Sequence, residues 1–378
     1  MARHLQQQSR CLDFISNCVD HYLKARPPAR NRPERMPTAQ PNTPCAAVVD
    51  WPALQNAVSR HPIPEAWWLT QERSCLLIRT GGAAAPAAPG RVAELGRWLR
   101  NLPGPVVALA PDSDCSDLLS VCDARTSRAE EAALIARNCA QAPLAALALV
   151  QILRITEGQS VEHALLAESF AYATLQAGPE FKRWRDAYAS PARAPDEGPA
   201  VRVERDVDAL SIRLNRPHAR NALNVAMRDA LVEAFDLVSS DPTIDTATVS
   251  GAGRCYSVGG ELSEFGERPD APSAHRIRSL RSPALSLTRC AQRVDFRVHS
   301  ACIGSGAELP AFGRRVIARS DAYFQLPELR FGLIPGSGGC VSLPKRIGRQ
   351  RTALLALTGR RLGAREAMAW GLVDELTD

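Results

Sequence analysis

Short apolar runs alternate with amphipathic stretches over most of the chain, and the period of the apolar positions sets off several regions. Near the N-terminus, CLDFISNCVDHYL predicts a short helix. Further on, CLLIRT (Cys75 to Thr80) and PVVALA (Pro105 to Ala110) are β-rich runs flanking the amphipathic RVAELGRWLRNL, which predicts a small β/α unit. From Thr126 to Tyr188 the apolar positions recur at helical spacing. The stretch SRAEEAALIARNCAQAPLAALALVQILR, then SVEHALLAESFAYATLQ after a break at Gly158, then EFKRWRDAY after Gly178 and Pro179, predict three consecutive helices. Ser127 with Glu130 opens the first of these, and Ser160 caps the second. Beyond Val201 strand and helix signals alternate. VRVERDVDALSIRLN predicts two antiparallel strands across an Asp-rich turn, NALNVAMRDALVEAFDLVSSD an amphipathic helix, and TATVSGAG a buried strand ending in glycines. The run from VDFRVHSACIG to ELRFGLIP repeats strand, glycine turn, helix start and strand, an α/β pattern.

Proline and arginine crowd Ala25 to Cys45, and ASPARAPDEGPA spans Ala189 to Ala200; both are natural linkers. The expected organisation is an N-terminal helix and Pro/Arg-rich linker over 1–45, a small α/β region over 46–125, a helical region over 126–190 and an α/β core over 201–378. Lys plus Arg total 46 and Asp plus Glu 40, and a net charge of +6 spread along 378 residues gives no ground for a nucleic-acid partner. No apolar run approaches the about 18 residues of a membrane span, and no apolar h-region opens the chain. A cytoplasmic protein with no membrane partner is expected. The 11 cysteines are scattered, with no CxxC and no paired histidine spacing, so they read as small apolar residues and no metal site is expected. No Gly-rich phosphate loop follows the strands of the middle region.

Candidate chemistry lies in two glycine-bearing turns that follow predicted strands, CYSVGGEL (Cys255 to Leu262) and CIGSGAEL (Cys302 to Leu309). Each is expected to expose backbone N–H groups where a helix begins, and two such groups aimed at one point stabilise negative charge on a carbonyl oxygen. Glu308 falls in the first helical turn after the second glycine turn. Glu328 follows in FQLPELRFGLIPGSGG, where Pro327 and the later glycines suggest a turn at a strand end. Two glutamates beside an anion site are the parts needed to activate water and move a proton at the carbon next to a carbonyl. His299 reads as a packed histidine, and Arg216 and Arg220 are weak candidates for phosphate contacts.

Taken together, LNRPHARNALN, GRCYSVGGEL, ACIGSGAELPAF, SDAYFQLPELRFGLIPGSGG and LPKRIGRQRTALLALTGRRLGAREAMAWGLVDEL resemble, in this order, the motifs of the crotonase (enoyl-CoA hydratase/isomerase) superfamily. The resemblance covers Val201 to Asp378 and implies an α/β fold: a crotonase-like ββα spiral core with a helical cap and a small N-terminal α/β region. It implies an acyl-CoA thioester substrate, no cofactor other than the coenzyme A of that substrate, and a homo-oligomer, a trimer or dimer of trimers. By motif, Gly260 and Ser305 supply the oxyanion N–H groups, with Ser305 where many relatives carry glycine. Glu308 and Glu328 are the catalytic pair, Gly336 positions water or the acyl chain, and Ser257, Val258 and Gly259 run along the coenzyme A. Retention of both glutamates points to hydration of a 2-enoyl-CoA. Isomerisation, thioester hydrolysis or an aryl-CoA reaction on the same scaffold, or acyl-CoA binding without catalysis, are the alternatives. The segment Gly266 to Cys290 falls where relatives carry a variable acyl-pocket lid, and its Pro, Ser and Arg content predicts mobility. The resemblance also implies helices after the GLVDE motif, whereas the sequence ends at Asp378. EEAALIARNCAQAPLAALALVQILR and HALLAESFAYATLQAGPEF are similar to those helices, which predicts a permuted cap supplied from 126–190.

Overall fold

The computed structural model describes residues 46–69, 74–80, 89–112, 117–189, 196, 198–266 and 270–378; the helix expected in CLDFISNCVDHYL and the linker after it lie outside them. Strands β1 (Ala46–Asp50), β2 (Cys75–Arg79), β3 (Val106–Leu109) and β4 (Ala124–Thr126) form a parallel sheet in chain order. A parallel sheet needs cover on both faces, and the period-two alternation of β2 supplies it. Leu76 and Ile78 pack with Leu54 of α1 (Trp51–Arg60), Trp67 of α2 (Pro64–Leu69) and Leu95, Trp98 and Leu99 of α3 (Pro89–Arg100). Cys75 and Leu77 point the other way, into a core shared with the rest of the molecule.

The helical region has four helices where three are expected: α4 (Ala129–Gln141), α5 (Pro143–Ile155), α6 (Val161–Gln176) and α7 (Pro179–Ala187). The periodicity runs unbroken through α4 and α5, but Pro143 has no N–H to give and its ring excludes a preceding helical turn, so the axis turns by 111° there. The N–H groups of Leu144 and Ala145, orphaned by the break, donate to the Glu180 carboxylate of α7 at 2.8 and 3.0 Å. Ser160 caps α6 as expected, accepting from the His163 N–H at 3.3 Å. Ser127 and Glu130 do not open α4. Arg128 stands at its N-cap and Thr126 does the bonding, its hydroxyl accepting from the Arg128 N–H (3.0 Å) and donating to Glu131 (2.7 Å).

From Val201 the chain winds as a spiral. A hairpin of β5 (Val201–Asp206) and β6 (Ala209–Leu214) leads to α8 (Val225–Ser240) and β7 (Thr246–Gly251). After α9 (Ala271–Leu280) and α10 (Pro283–Thr288) come β8 (Val294–Val298), β9 (Ala301–Ile303), α11 (Ser305–Glu308), β10 (Arg315–Arg319) and β11 (Tyr323–Gln325). Helices α12 (Gly339–Ile347) and α13 (Arg349–Thr358), strand β12 (Leu362–Gly363), helix α14 (Ala364–Trp370) and strand β13 (Glu375–Thr377) complete it. Strands β13, β10, β8, β7, β6 and β5 line up in one sheet, parallel except for the hairpin, while β12, β11 and β9 form a second. The turns β8–β9–α11 and β10–β11–α12 each give one strand to each sheet and then a helix, the repeat of a ββα unit. The run VDFRVHSACI is therefore two strands, β8 and β9, separated by Ser300 in the left-handed region (φ 52°).

The helical region packs onto this spiral, and its apolar residues share one core with the spiral's. Asn138 donates to the Leu357 carbonyl at 2.9 Å and the Thr156 hydroxyl to the Cys340 carbonyl at 3.1 Å. Buried Asp123 ties all three regions together: it accepts from Arg154 of α5 at 2.5 Å and from Arg349 of α13 at 3.2 Å, and takes the Val106 N–H at 2.9 Å. The segment expected to be a mobile lid holds α9 and α10. Helix α9 lies on α6 through a Ser169–His275 hydrogen bond (2.9 Å), stacking of Phe170 on His275 (3.8 Å) and Arg278 over the Tyr172 ring (4.0 Å). Cys75, Cys139, Cys290, Cys302 and Cys340 are buried in the apolar core. Among the described residues no single helix is long and apolar enough to cross a membrane.

Candidate active site

The two glycine turns lie side by side. A Cβ placed on Gly259 would come within 2.8 Å of the Ile303 carbonyl oxygen and 3.6 Å of the Gly304 Cα, so close approach and a φ of 93° both demand glycine there. Asn221 holds the first turn. Fully buried, it donates to the carbonyls of Ala252, Cys255 and Tyr256 at 2.8, 3.1 and 3.0 Å while its Oδ1 accepts from the Arg216 N–H. Ser257 completes the scaffold: its hydroxyl donates to the Asn221 carbonyl at 2.8 Å and accepts from the Gly259 N–H at 3.2 Å. The N–H groups of Gly260 and Ser305 have no acceptor among the described residues, and both residues line a cavity of about 360 Å³. Such a pair can receive a developing oxyanion. The first turn does not open an α-helix as expected; it runs into a 3₁₀ turn at Leu262–Glu264, and α11 after the second is a single turn. The N–H groups themselves, rather than a long helix dipole, are what the turns present.

Glu308 and Glu328 meet across the second turn. A Cβ on Gly304 would fall 2.8 Å from the Glu328 Oε1 and 3.9 Å from the Glu308 Oε1, which places both carboxylates at one spot beside Ser305. Both are buried, and Glu328 Oε2 has no hydrogen-bond partner. Glu328 starts the 3₁₀ turn Glu328–Phe331 just past β11, the strand-end turn that Pro327 suggested. Glu308 Oε2 accepts from the N–H groups of Ser337 (2.6 Å) and Gly339 (2.9 Å).

A third carboxylate, which the motifs did not single out, comes from the helical region. Glu168 of α6 accepts from the N–H groups of Gly338 (2.7 Å) and Cys340 (2.9 Å), so four consecutive N–H groups at the start of α12 alternate between Glu308 and Glu168. Burial pushes the Glu168 carboxyl up to about 8, with the Glu308 charge adding to it and Arg278 and the two N–H groups opposing. Burial pushes Glu308 up to about 7, against the N–H groups of Ser337 and Gly339 and against Arg278. Glu328 is raised well above the ordinary carboxylate range by burial and then by Glu308. Carboxyls placed this way hold protons near neutrality, so an acid and a base can coexist in one site.

Of the other expected residues, Val258, Gly259 and Gly336 line the cavity, and Gly336 lies against the Tyr172 ring. Ser257 does not line it; its hydroxyl is spent on Asn221 and Gly259. Arg216 is 4% exposed and paired with Asp196 (2.6 Å) and Glu261 (3.3 Å), so it does not offer itself to a phosphate, whereas Arg220 is exposed. His299 is half-buried, its Nε2 3.1 Å from the Gly253 carbonyl. The helical region closes the cavity with Tyr172 and with Trp184, which meets Phe331 (4.9 Å) and Phe265 (6.4 Å), both cavity-lining.

Residues 205–377 match the enoyl-CoA hydratase/isomerase family model. The chain is 33% identical to 1,2-epoxyphenylacetyl-CoA isomerase of Escherichia coli K12 over 180 residues, 47% of this chain and 68% of that protein. It is 29% identical over 182 residues to 2,3-dehydroadipyl-CoA hydratase of the same organism, covering 46% of this chain and 68% of the relative. With mevalonyl-coenzyme A hydratase SIDH of Beauveria bassiana it shares 30% identity over 44% of this chain, spanning 62% of that relative's length. The chain belongs to the enoyl-CoA hydratase/isomerase family, and its relatives carry both hydratase and isomerase names.

Proposed function

We propose that the protein hydrates a 2-enoyl-CoA thioester. The observation that carries this reading is the meeting of two buried glutamates, Glu308 and Glu328, beside two backbone N–H groups without acceptors among the described residues. With the thioester oxygen between the N–H groups of Gly260 and Ser305, the acyl carbons face both carboxyls. One carboxylate takes a proton from water as its oxygen bonds to the β-carbon, and the other carboxyl delivers a proton to the α-carbon. Between these events the electron pair resides on the thioester oxygen as an enolate, where the two N–H groups stabilise it. The names of hydratase relatives agree with this reading.

The fate of the oxygen in labelled water tests it. Incubation with crotonyl-CoA in ¹⁸O-water is expected to give 3-hydroxybutyryl-CoA labelled at the 3-hydroxyl. A shifted double bond, a labelled free acid, or CoA-ester binding without turnover would each count against hydration.

A further inference from the structure

Arg278 lines the cavity and touches none of the atoms that the hydration chemistry moves. It stands on α9, where His275, one turn earlier, is fixed to α6 by Ser169 and Phe170. Its guanidinium lies 4.0 Å over the Tyr172 ring, so an aromatic face rather than an acid positions it. Its Nε is buried without a hydrogen-bond partner, and no hydrogen bond or ion pair joins the guanidinium to any described residue. The carboxylates nearby do not claim it: Glu308 and Glu168 each take backbone N–H groups instead. A partly desolvated cation with its planar fork of donors unspent is costly unless an anion meets it.

Its place in the cavities says where that anion comes from. Arg278 lines the cavity that holds Glu308 and Glu328, and also a second cavity of about 310 Å³ between α6, α9 and α10. Ser282, Gly336 and Ser337 line both as well, so the two spaces abut at Arg278. A Cβ on Gly336 would lie 2.9 Å from an Arg278 terminal nitrogen, and the next residue's N–H holds Glu308. An acyl chain anchored at Gly260 and Ser305 that extends past Glu308 and Ser337 would run toward Arg278. Glu162, His163 and Glu168 also line the second cavity; the first two are exposed, and Glu168 is held by the N–H groups of Gly338 and Cys340.

We propose that Arg278 receives a carboxylate at the distal end of the acyl chain, so that the substrates are mono-CoA esters of α,ω-dicarboxylic 2-enoic acids. This rests on the acyl-CoA reading above and narrows it to a substrate class. The test compares a short ω-carboxy-2-enoyl-CoA series with crotonyl-CoA on wild type, R278M, R278Q and R278K. The wild type is expected to favour a carboxylated ester in kcat/KM by about 100-fold, and R278M to remove that preference, mostly through KM. R278K, which keeps the charge without the fork, should recover part of it, and R278Q replaces R278M if the latter does not fold. Equal losses on both substrates, as expected of a residue that only tunes the glutamates, would overturn the proposal, as would a wild type that prefers the uncharged ester. Calorimetric binding of glutaryl-CoA against butyryl-CoA separates the two claims. A carboxylate preference that disappears in R278M upholds the subsite even if nothing is hydrated, and identical affinities dismiss it even if crotonyl-CoA is hydrated.

Discussion

Glu308 and Glu168 divide four consecutive N–H groups between them, one carboxylate from the spiral and one from the helical region, so each side chain fixes the turn that fixes the other. Removing the Glu168 oxygens leaves two N–H groups unsatisfied at the start of α12 and frees the turn that orients Glu308. Glu168→Ala is expected to lower kcat by at least about 10-fold with a smaller change in KM, and Glu168→Gln, which restores an acceptor, to recover part of it. The raised carboxyls also set a pH dependence. Their folded-state values lie above the ordinary 4.5, so the folded form holds the extra protons. Their contribution to stability is complete below about 4.5 and is lost as pH rises through about 7 and about 8. Thermal melts from acid to mildly alkaline pH should show Tm falling across that window, with a shallower fall in Glu168→Gln. Asn221→Ala leaves three buried carbonyls without their donor and is expected to cost about 2–3 kcal/mol in denaturant unfolding. Glu308 and Glu328 were legible in the sequence because glycines and a proline mark their turns. Glu168 was not: nothing in an amphipathic helix separates a solvated glutamate from one whose partners lie 170 residues away.

Helix α7 shows how elements close the site. Its Glu180 caps α5 and its Trp184 rests on Phe331 and Phe265, so it joins the helical region to the cavity wall. Glu180→Ala is expected to destabilise the fold by about 1–2 kcal/mol, measured by denaturant unfolding, as loss of a helix cap does. Of the parallel sheet, β2 and β3 were readable as β-rich runs, and the hairpin at Val201 from its strands and Asp-rich turn, whereas β1 and β4 were not expected. The split of α4 from α5 carried only Pro143 as a signal, set inside an unbroken apolar period that pulled toward one helix. The Pro, Ser and Arg content of Gly266 to Cys290, at the place of a lid in the family pattern, predicts mobility and gives no sign of the helices α9 and α10 found in it. Helix α9 is held there by Ser169, Phe170 and Tyr172, which α6 supplies from far away in sequence.

Across the molecule, the helices at 129–187 share the spiral's apolar core and carry Glu168 and Tyr172 to its site. Asp123, bonded to Arg154 and Arg349, extends that union to the parallel sheet. A fragment beginning at Val201 is accordingly expected to be insoluble or inactive, and a well-folded, fully active fragment would show the cap to be dispensable. The central claim, that Glu308 and Glu328 together hydrate an enoyl thioester, is tested most directly by crotonyl-CoA hydration in Glu308→Gln and Glu328→Gln. Each variant keeps the shape of the site and removes one proton carrier. The expected result is a loss of about 100-fold or more in kcat for each; hydration within about threefold of wild type in both variants would contradict it.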